Sequence, residues 1–226
     1  MNWKIKLVVL ALIFSACQNT QVDDKATAIT EDKSVKSDYL IEVRDFKKLV
    51  DHPNIKILDL SKKDIYDKEH IVGARHIRRL DIEDSTFSYG GMMAPAEQIE
   101  SLFSNLGINT NDTIIIYDDK GLCEAARLWW ILQNYDFTKV KLLHGGLPAW
   151  KAGEGKVTTD IPVNKKSEFK LPNSQATKYY TSQEEVQTAF FSGAVILDVR
   201  STDEYTGKTL KTGALKSGRI PGSKNI

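Results

Sequence analysis

Apolar and polar positions alternate along the chain in blocks whose period changes, and the period predicts the elements. In MAPAEQIESLFSNLGI the apolar residues Ile99, Leu102, Phe103 and Leu106 recur at i, i+3, i+4 and i+7, the pattern of an amphipathic helix. Asp112 and Thr113 then lead into Ile114-Ile115-Ile116-Tyr117, a β-branched run bounded by polar residues and so a buried strand. GLCEAARLWWILQNY predicts a helix with a thick apolar face, VKLLHGG a short strand ending in glycines, and LPAWKAGEG a last helical turn. Strands alternating with helices imply an α/β chain with a parallel sheet covered on both faces.

One pattern occurs twice. ILDLSKKDIYDKEHIVGARHI runs from Ile57 to Ile77, and ILDVRSTDEYTGKTLKTGALKSGRIPGSKNI from Ile196 to Ile226. Asp59 precedes Tyr66 by the interval that separates Asp198 from Tyr205. Ile71-Val72-Gly73 and Ile77 answer to Ile220-Pro221-Gly222 and Ile226, with ten extra residues between the tyrosine and the Ile-x-Gly element in the second copy. The first copy continues through helix and strand blocks to Trp150. The second stops at Ile226, so about 73 residues of a second domain are expected to be missing. Two strands and a helix, the most it offers, are too little to bury a core.

Composition narrows the classes. The 226 residues are 41% hydrophobic and 27% charged, which suits a globular core rather than a disordered chain. Lys and Arg number 31 against 30 Asp and Glu, so the basic footprint of a nucleic-acid binder is absent. Cys17 and Cys123 are the only cysteines, which excludes a disulfide-stapled fold and a cysteine-rich zinc site. The four histidines show no ligand spacing, and neither metal nor cofactor is expected. At the N-terminus, Lys4 and Lys6 precede an apolar run from Leu7 to Phe14 and the small pair Ser15-Ala16. This is the layout of a secretory signal, and the run is too short to span a bilayer comfortably. Cys17, directly after Ser-Ala, resembles a bacterial lipoprotein processing site. That resemblance implies cleavage before Cys17, lipidation on it, and an exported protein held to a membrane in the cell envelope or periplasm. The polar stretch that follows reads as a flexible tether.

Ile57–Leu60, His70–Ile77, GGMMAPAEQIESLFSNLGI, IIIYDDKG, AARLWW, LLHGGLPAW, ILDVRSTDEY and GRIPG, in this order and spacing, resemble the rhodanese family, specifically tandem sulfurtransferases of the thiosulfate and 3-mercaptopyruvate type. The resemblance spans Tyr39 to Ile226. It implies an α/β, rhodanese-like domain with a central parallel sheet flanked by helices, followed by an incomplete second copy. The organisation expected is a signal peptide over 1–17, a tether over 18–38, a first domain over 39–155, a linker over 156–178 and the second copy over 179–226. The chemistry implied belongs to the second domain. A cysteine at a strand end takes a sulfane sulfur from a small sulfur-containing anion as a persulfide and passes it to cyanide or a thiol. A monomer is expected.

The physical logic of such a site rests on its loop. Between the carboxyl end of a parallel strand and a helix N-terminus, free backbone N–H groups and the helix dipole favour a thiolate and then an anionic persulfide. In this chain that loop is Tyr117 to Cys123, and the position directly after Tyr117 is Asp118. A carboxylate can occupy an anion cradle but cannot form a persulfide. The first domain is therefore expected to be catalytically silent, as the resemblance also implies, with no catalytic residue in this chain and the nucleophile about 41 residues beyond Ile226. Cys123 reads as a small, partly buried side chain, and Cys123 to Arg127 is too short a spacing for a C-x5-R phosphate loop. Arg200 corresponds, by the resemblance, to an arginine that faces the active loop and holds the anionic substrate; the first copy has Ser61 there. Arg127 is expected to bond a carboxylate such as Asp59, and Asp59 and Asp198 to brace their loops. His144-Gly145-Gly146 marks a tight turn with an exposed imidazole, and Trp129 and Trp130 pack with Leu128 and Leu132. Two other readings stay open: a non-catalytic lipoprotein that binds a partner or an anion, and a sulfur carrier using Cys123.

Overall fold

The structure, a computed structural model, describes residues 37–175 and 178–226; Cys17 and the apolar run before it lie outside the described residues. In chain order the elements are β1 (Leu40–Ile41), α1 (Val43–Phe46), β2 (Ile55–Asp59), α2 (Lys63–Lys68), β3 (His70–Ile71), β4 (Ala74–His76), a 3-10 turn (Arg79–Ile82), α3 (Ala96–Asn105), β5 (Thr113–Tyr117), α4 (Cys123–Asn134), β6 (Val140–Leu143), α5 (Gly146–Ala152) and β7 (Val157–Thr158). After these come α6 (Gln183–Phe191), β8 (Leu197–Asp198), α7 (Thr202–Thr206) and β9 (Lys224–Asn225).

The central sheet has the order β1-β6-β5-β2-β4, and every pairing in it is parallel. A parallel sheet must be covered on both faces, and the strands supply apolar side chains to both by simple alternation. Leu58, Ile114, Ile116 and Leu142 point into one core, which α3 and α4 close with Ile99, Phe103, Leu128, Ile131 and Leu132. Ile57, Ile115, Tyr117 and Leu143 point into the other, which Phe46 of α1 and Leu147 and Trp150 of α5 close. Each element predicted between Ile99 and Trp150 is present in its expected type.

The stretch read as a linker is held more tightly than that word implies. After β7 the chain runs across the α3 side as a strap. Phe169 lies 4.9 Å from the Phe103 ring and 5.2 Å from that of Phe137, and it is buried with Leu171 in the first core. Backbone N–H groups tie the strap down: Ser167 donates to the Ser104 carbonyl and Phe169 to Ser104 Oγ, each at 3.0 Å, Lys170 to Thr110 Oγ1 at 2.8 Å, and Leu171 to Glu100 Oε1 at 3.0 Å. No helical or strand period marks these residues, because long-range contacts rather than local structure order them.

Beyond residue 178 the bonds around β2 recur around β8. The Ser61 N–H donates to Asp59 Oδ1 at 2.7 Å, and the Arg200 N–H to Asp198 Oδ1 at 3.1 Å. The Tyr66 hydroxyl donates to the Ala74 carbonyl at 2.9 Å, and that of Tyr205 to the Ser223 carbonyl at 2.6 Å. Asp59 registers with His76, and Asp198 with Asn225. The packing differs. Leu58 is fully buried, whereas Leu197 is 54% exposed. Among the described residues after 178, no hydrophobic side chain belongs to either core. No helix among the described residues is long and apolar enough to cross a membrane.

The strap gives a direct test. Phe169→Ala removes a fully buried ring and is expected to lower unfolding free energy by roughly 3–5 kcal/mol in urea titration, whereas Val163→Ala, at a side chain 93% exposed, changes it by less than about 0.5 kcal/mol.

Candidate functional site

Asp118 follows the last residue of β5, at the carboxyl end of the central strand, where doubly covered parallel sheets place their ligands. The chain then turns through Gly121 at φ 73° and Leu122 at φ 64°, two successive left-handed residues that curl the backbone N–H groups inward before α4 begins. The Asp118 side chain fills the centre of that curl. Oδ1 accepts from Lys120 N–H and Leu122 N–H, both at 2.9 Å, and Oδ2 from Glu124 N–H at 3.0 Å and Ala125 N–H at 3.1 Å. Leu122 offers no side-chain cap, so this carboxylate performs the capping of α4 from four positions upstream. Asp118 is 2% exposed.

The turn after β6 closes the loop from behind. The Leu147 N–H donates to the Asp118 carbonyl at 3.0 Å, and a Cβ on Gly146 would lie 2.3 Å from that same oxygen, so only glycine fits there. His144, just before it, is exposed as expected, with Nδ1 2.9 Å from Glu42 Oε1.

In front of the loop lies a cleft of about 330 Å³, lined by Ser61, Lys62, His76, Lys120, Cys123 and Glu124 among others. Arg79 clamps its edge, donating to Glu83 at 2.5 Å and to Glu124, in the first turn of α4, at 2.9 Å. His76 presents Nε2 to the Ser61 carbonyl at 2.9 Å. Beneath it Asp59, fully buried, accepts the Ser61 N–H on Oδ1; Oδ2 lies without a hydrogen bond of good geometry in the same buried region as the Ser61 hydroxyl, which is equally unsatisfied. Burial is the main cause that raises the Asp59 carboxyl above its ordinary pKa, and its polar neighbours Ser61 and Tyr117 only partly offset it. Burial likewise drives the Tyr117 phenol far above its ordinary value, with the Asp59 charge adding to the shift.

The structure corrects two expectations. Cys123 is exposed at the first position of α4, not partly buried. Arg127 does not bond Asp59: its Nη2 donates to the Gly91 carbonyl at 2.6 Å, and its guanidinium lies 4.7 Å from the Trp130 ring. Strand alternation explains this, since Asp59 shares the face of Ile57, while α4 covers the face of Leu58. Trp129 and Trp130 pack, half-buried, against the first core. Arg200 lies apart from this site, exposed, with Nη2 donating to Asp198 Oδ2 at 2.6 Å and to the Gly218 carbonyl at 2.8 Å. No periodicity or motif marks His70, which is fully buried, stacked 3.9 Å from the Tyr66 ring and set between the carbonyls of Tyr66 and Asp160. Among the described residues no three His, Cys, Asp or Glu side chains converge as a metal site.

Comparison with known proteins adds relatives to this geometry. The family model for the rhodanese-like domain matches residues 42–153. The chain is 30% identical over 189 residues to the thiosulfate sulfurtransferase of Azotobacter vinelandii, covering 83% of this chain and 68% of that one. It is 27% identical over 188 residues to the sulfur carrier protein TtuD of Thermus thermophilus, covering 78% and 65%. Among solved structures it is similar to SseA of Escherichia coli, described for the rhodanese fold and catalytic mechanism of 3-mercaptopyruvate sulfotransferases, with a TM-score of 0.71 at 24% identity over 83% of this chain and 74% of that one. It is similar also to Tum1 of Saccharomyces cerevisiae, with a TM-score of 0.74 at 22% identity over 83% and 69%. The chain thus spans about two thirds of the length of these curated relatives. The structural matches bear out the expected fold: a central parallel sheet flanked by helices.

The buried carboxyl at Asp59 predicts a pH dependence. The folded chain binds that proton more tightly than the unfolded chain, so stability falls as pH rises from the ordinary carboxylate pKa to the raised one, and is flat on either side. Asp59→Asn keeps an acceptor for the Ser61 N–H and removes the ionisation. Urea unfolding between about pH 4 and pH 8 is expected to show this fall in the parent chain and to lose it in the variant; equal pH profiles would contradict the assignment.

Proposed function

Because the chain belongs to the rhodanese-like family, we propose that it forms part of a sulfurtransferase in which the domain over residues 39–155 is catalytically silent. The observation that carries this reading is the Asp118 carboxylate, held by four backbone N–H groups where a persulfide would sit. A carboxylate there has no sulfur and cannot form a persulfide. Cys123 stands off that position, and the nucleophile of this reading is not one of the 226 residues.

In the reaction proposed, a cysteine thiolate attacks the sulfane sulfur of thiosulfate or the sulfur of 3-mercaptopyruvate. The S–S or C–S bond breaks, sulfite or pyruvate leaves, and the enzyme holds the sulfur as a persulfide. Cyanide or a thiol then takes the outer sulfur and restores the thiolate. A second, incomplete copy over 179–226 is supported by the recurrence of the β2 bonds around β8. Arg200 occupies there the place that Ser61 holds at the first cleft, and in this reading its guanidinium binds the anionic donor. Lys4, Lys6, the apolar run to Phe14 and Cys17 support an exported chain, lipid-anchored to a membrane of the cell envelope, as part of the same proposal.

The purified 226-residue chain, given thiosulfate and cyanide, is expected to form no thiocyanate above the buffer rate, with or without Cys123→Ser. Turnover that disappears on Cys123→Ser would overturn the reading and put the chemistry on that thiol.

A further inference from the structure

A second concavity, of about 380 Å³, lies between the turn after α1, the turn after α5 and the end of β3, and it shares no residue with the cleft before the Asp118 loop. Its frame is stiff. Lys47, directly after α1, donates from Nζ to the Gly153 carbonyl and so ties the two turns together. A Cβ on Gly155 would lie 2.1 Å from the Trp150 ring, so the chain can pass the indole there only as glycine. Trp150 Nε1 donates to the Lys156 carbonyl at 2.9 Å and fixes the ring. On the far wall the Ile71 N–H donates to the Tyr117 hydroxyl at 3.0 Å, and Ile71 pairs with Val157 of β7.

The lining joins apolar surface to charge of both signs. Val50 is half-buried, and Val72 is 47% exposed. Asp51, Glu154 and Lys156 are exposed, and among the described residues none of their side chains has a hydrogen bond or an ion pair. Glu154 stands at φ 58°, where glycine is the usual residue after a helix, so the chain puts a carboxylate at the one left-handed position of Gly153-Glu154-Gly155. Two carboxylates, Asp51 and Glu154, meet two ammonium groups, Lys47 and Lys156, and their formal charges cancel. A simple cation or anion therefore gains little from the field there. A molecule with both an ammonium and a carboxylate finds a partner for each, and an apolar body on it covers Val50 and Val72. The volume admits a small molecule and excludes a polymer. We propose that this pocket binds a free α-amino acid with an apolar side chain, its ammonium on Asp51 and Glu154 and its carboxylate on Lys156. No bond is made or broken there, and the site stands or falls independently of sulfur transfer.

The test is titration of the 226-residue chain with L-leucine, followed by calorimetry and by amide NMR shifts, beside glycine, N-acetyl-L-leucine and L-leucinamide. Leucine is expected to saturate and to shift the amides of Asp51, Val72, Glu154 and Lys156. Glycine lacks the apolar body, N-acetyl-leucine the ammonium and leucinamide the carboxylate, and each should bind about fivefold or more weakly. Glu154→Gly removes one carboxylate at a backbone position that glycine takes without strain, so the variant should fold and bind leucine about fivefold more weakly. No saturation by leucine up to about 10 mM, equal binding of glycine or of either capped analogue, or a folded Glu154→Gly chain that binds leucine as tightly as the parent would overturn the proposal.

Discussion

The Asp118 carboxylate is the hub on which the first domain's strand end, loop and helix converge. Its two oxygens accept four backbone N–H groups drawn from the loop and the first turn of α4. Those donors sit at the partly buried start of a helix, where intrahelical partners are lacking. Satisfying them with one side chain fixes the curl of residues 118–122, sets where α4 begins and holds the loop against the Gly145-Gly146 turn. The same contact is the observation on which the proposed silence of the domain rests: the cradle's four N–H groups are taken by the chain's own carboxylate.

Around that hub the sheet divides labour by parity. Residues of β2, β5 and β6 alternate between two cores, and each core is closed by helices that follow from the parallel topology. The strap through Phe169 and Leu171 completes the first core from outside the matched domain, so residues 42–153 define the family and not the whole folded unit. By contrast, the segment after 178 repeats the local bonding of β2 without the burial. This shows that the Asp–N–H brace and the tyrosine-to-carbonyl bond are local properties of the sequence, whereas a core is not.

Much of this was legible in the residues. The helix at Ile99 to Leu106, the strand at Ile114 to Tyr117 and the helix through Trp129 follow from periodicity, and the place of Asp118 from strand–loop–helix logic. Its four-fold grip was not, because it depends on Leu122 adopting a left-handed conformation that leucine seldom takes. The strap is not legible locally, because Phe169 and Leu171 offer no run long enough to carry a period. The burial of His70 depends on the Asp160 carbonyl, distant in sequence. The Arg127 contact was misread although parity could have found it, since Asp59 and Ile57 share a face that α4 does not cover.

The central claim is that the Asp118 carboxylate stands where a sulfur anion would be held. Its most direct test puts a thiol at that position. Asp118→Cys, made in a Cys123→Ser background, is incubated with thiosulfate and measured by intact mass. The account predicts a gain of one sulfur atom, removed by cyanide as thiocyanate. A folded variant whose new thiol alkylates readily but gains no sulfur would contradict it.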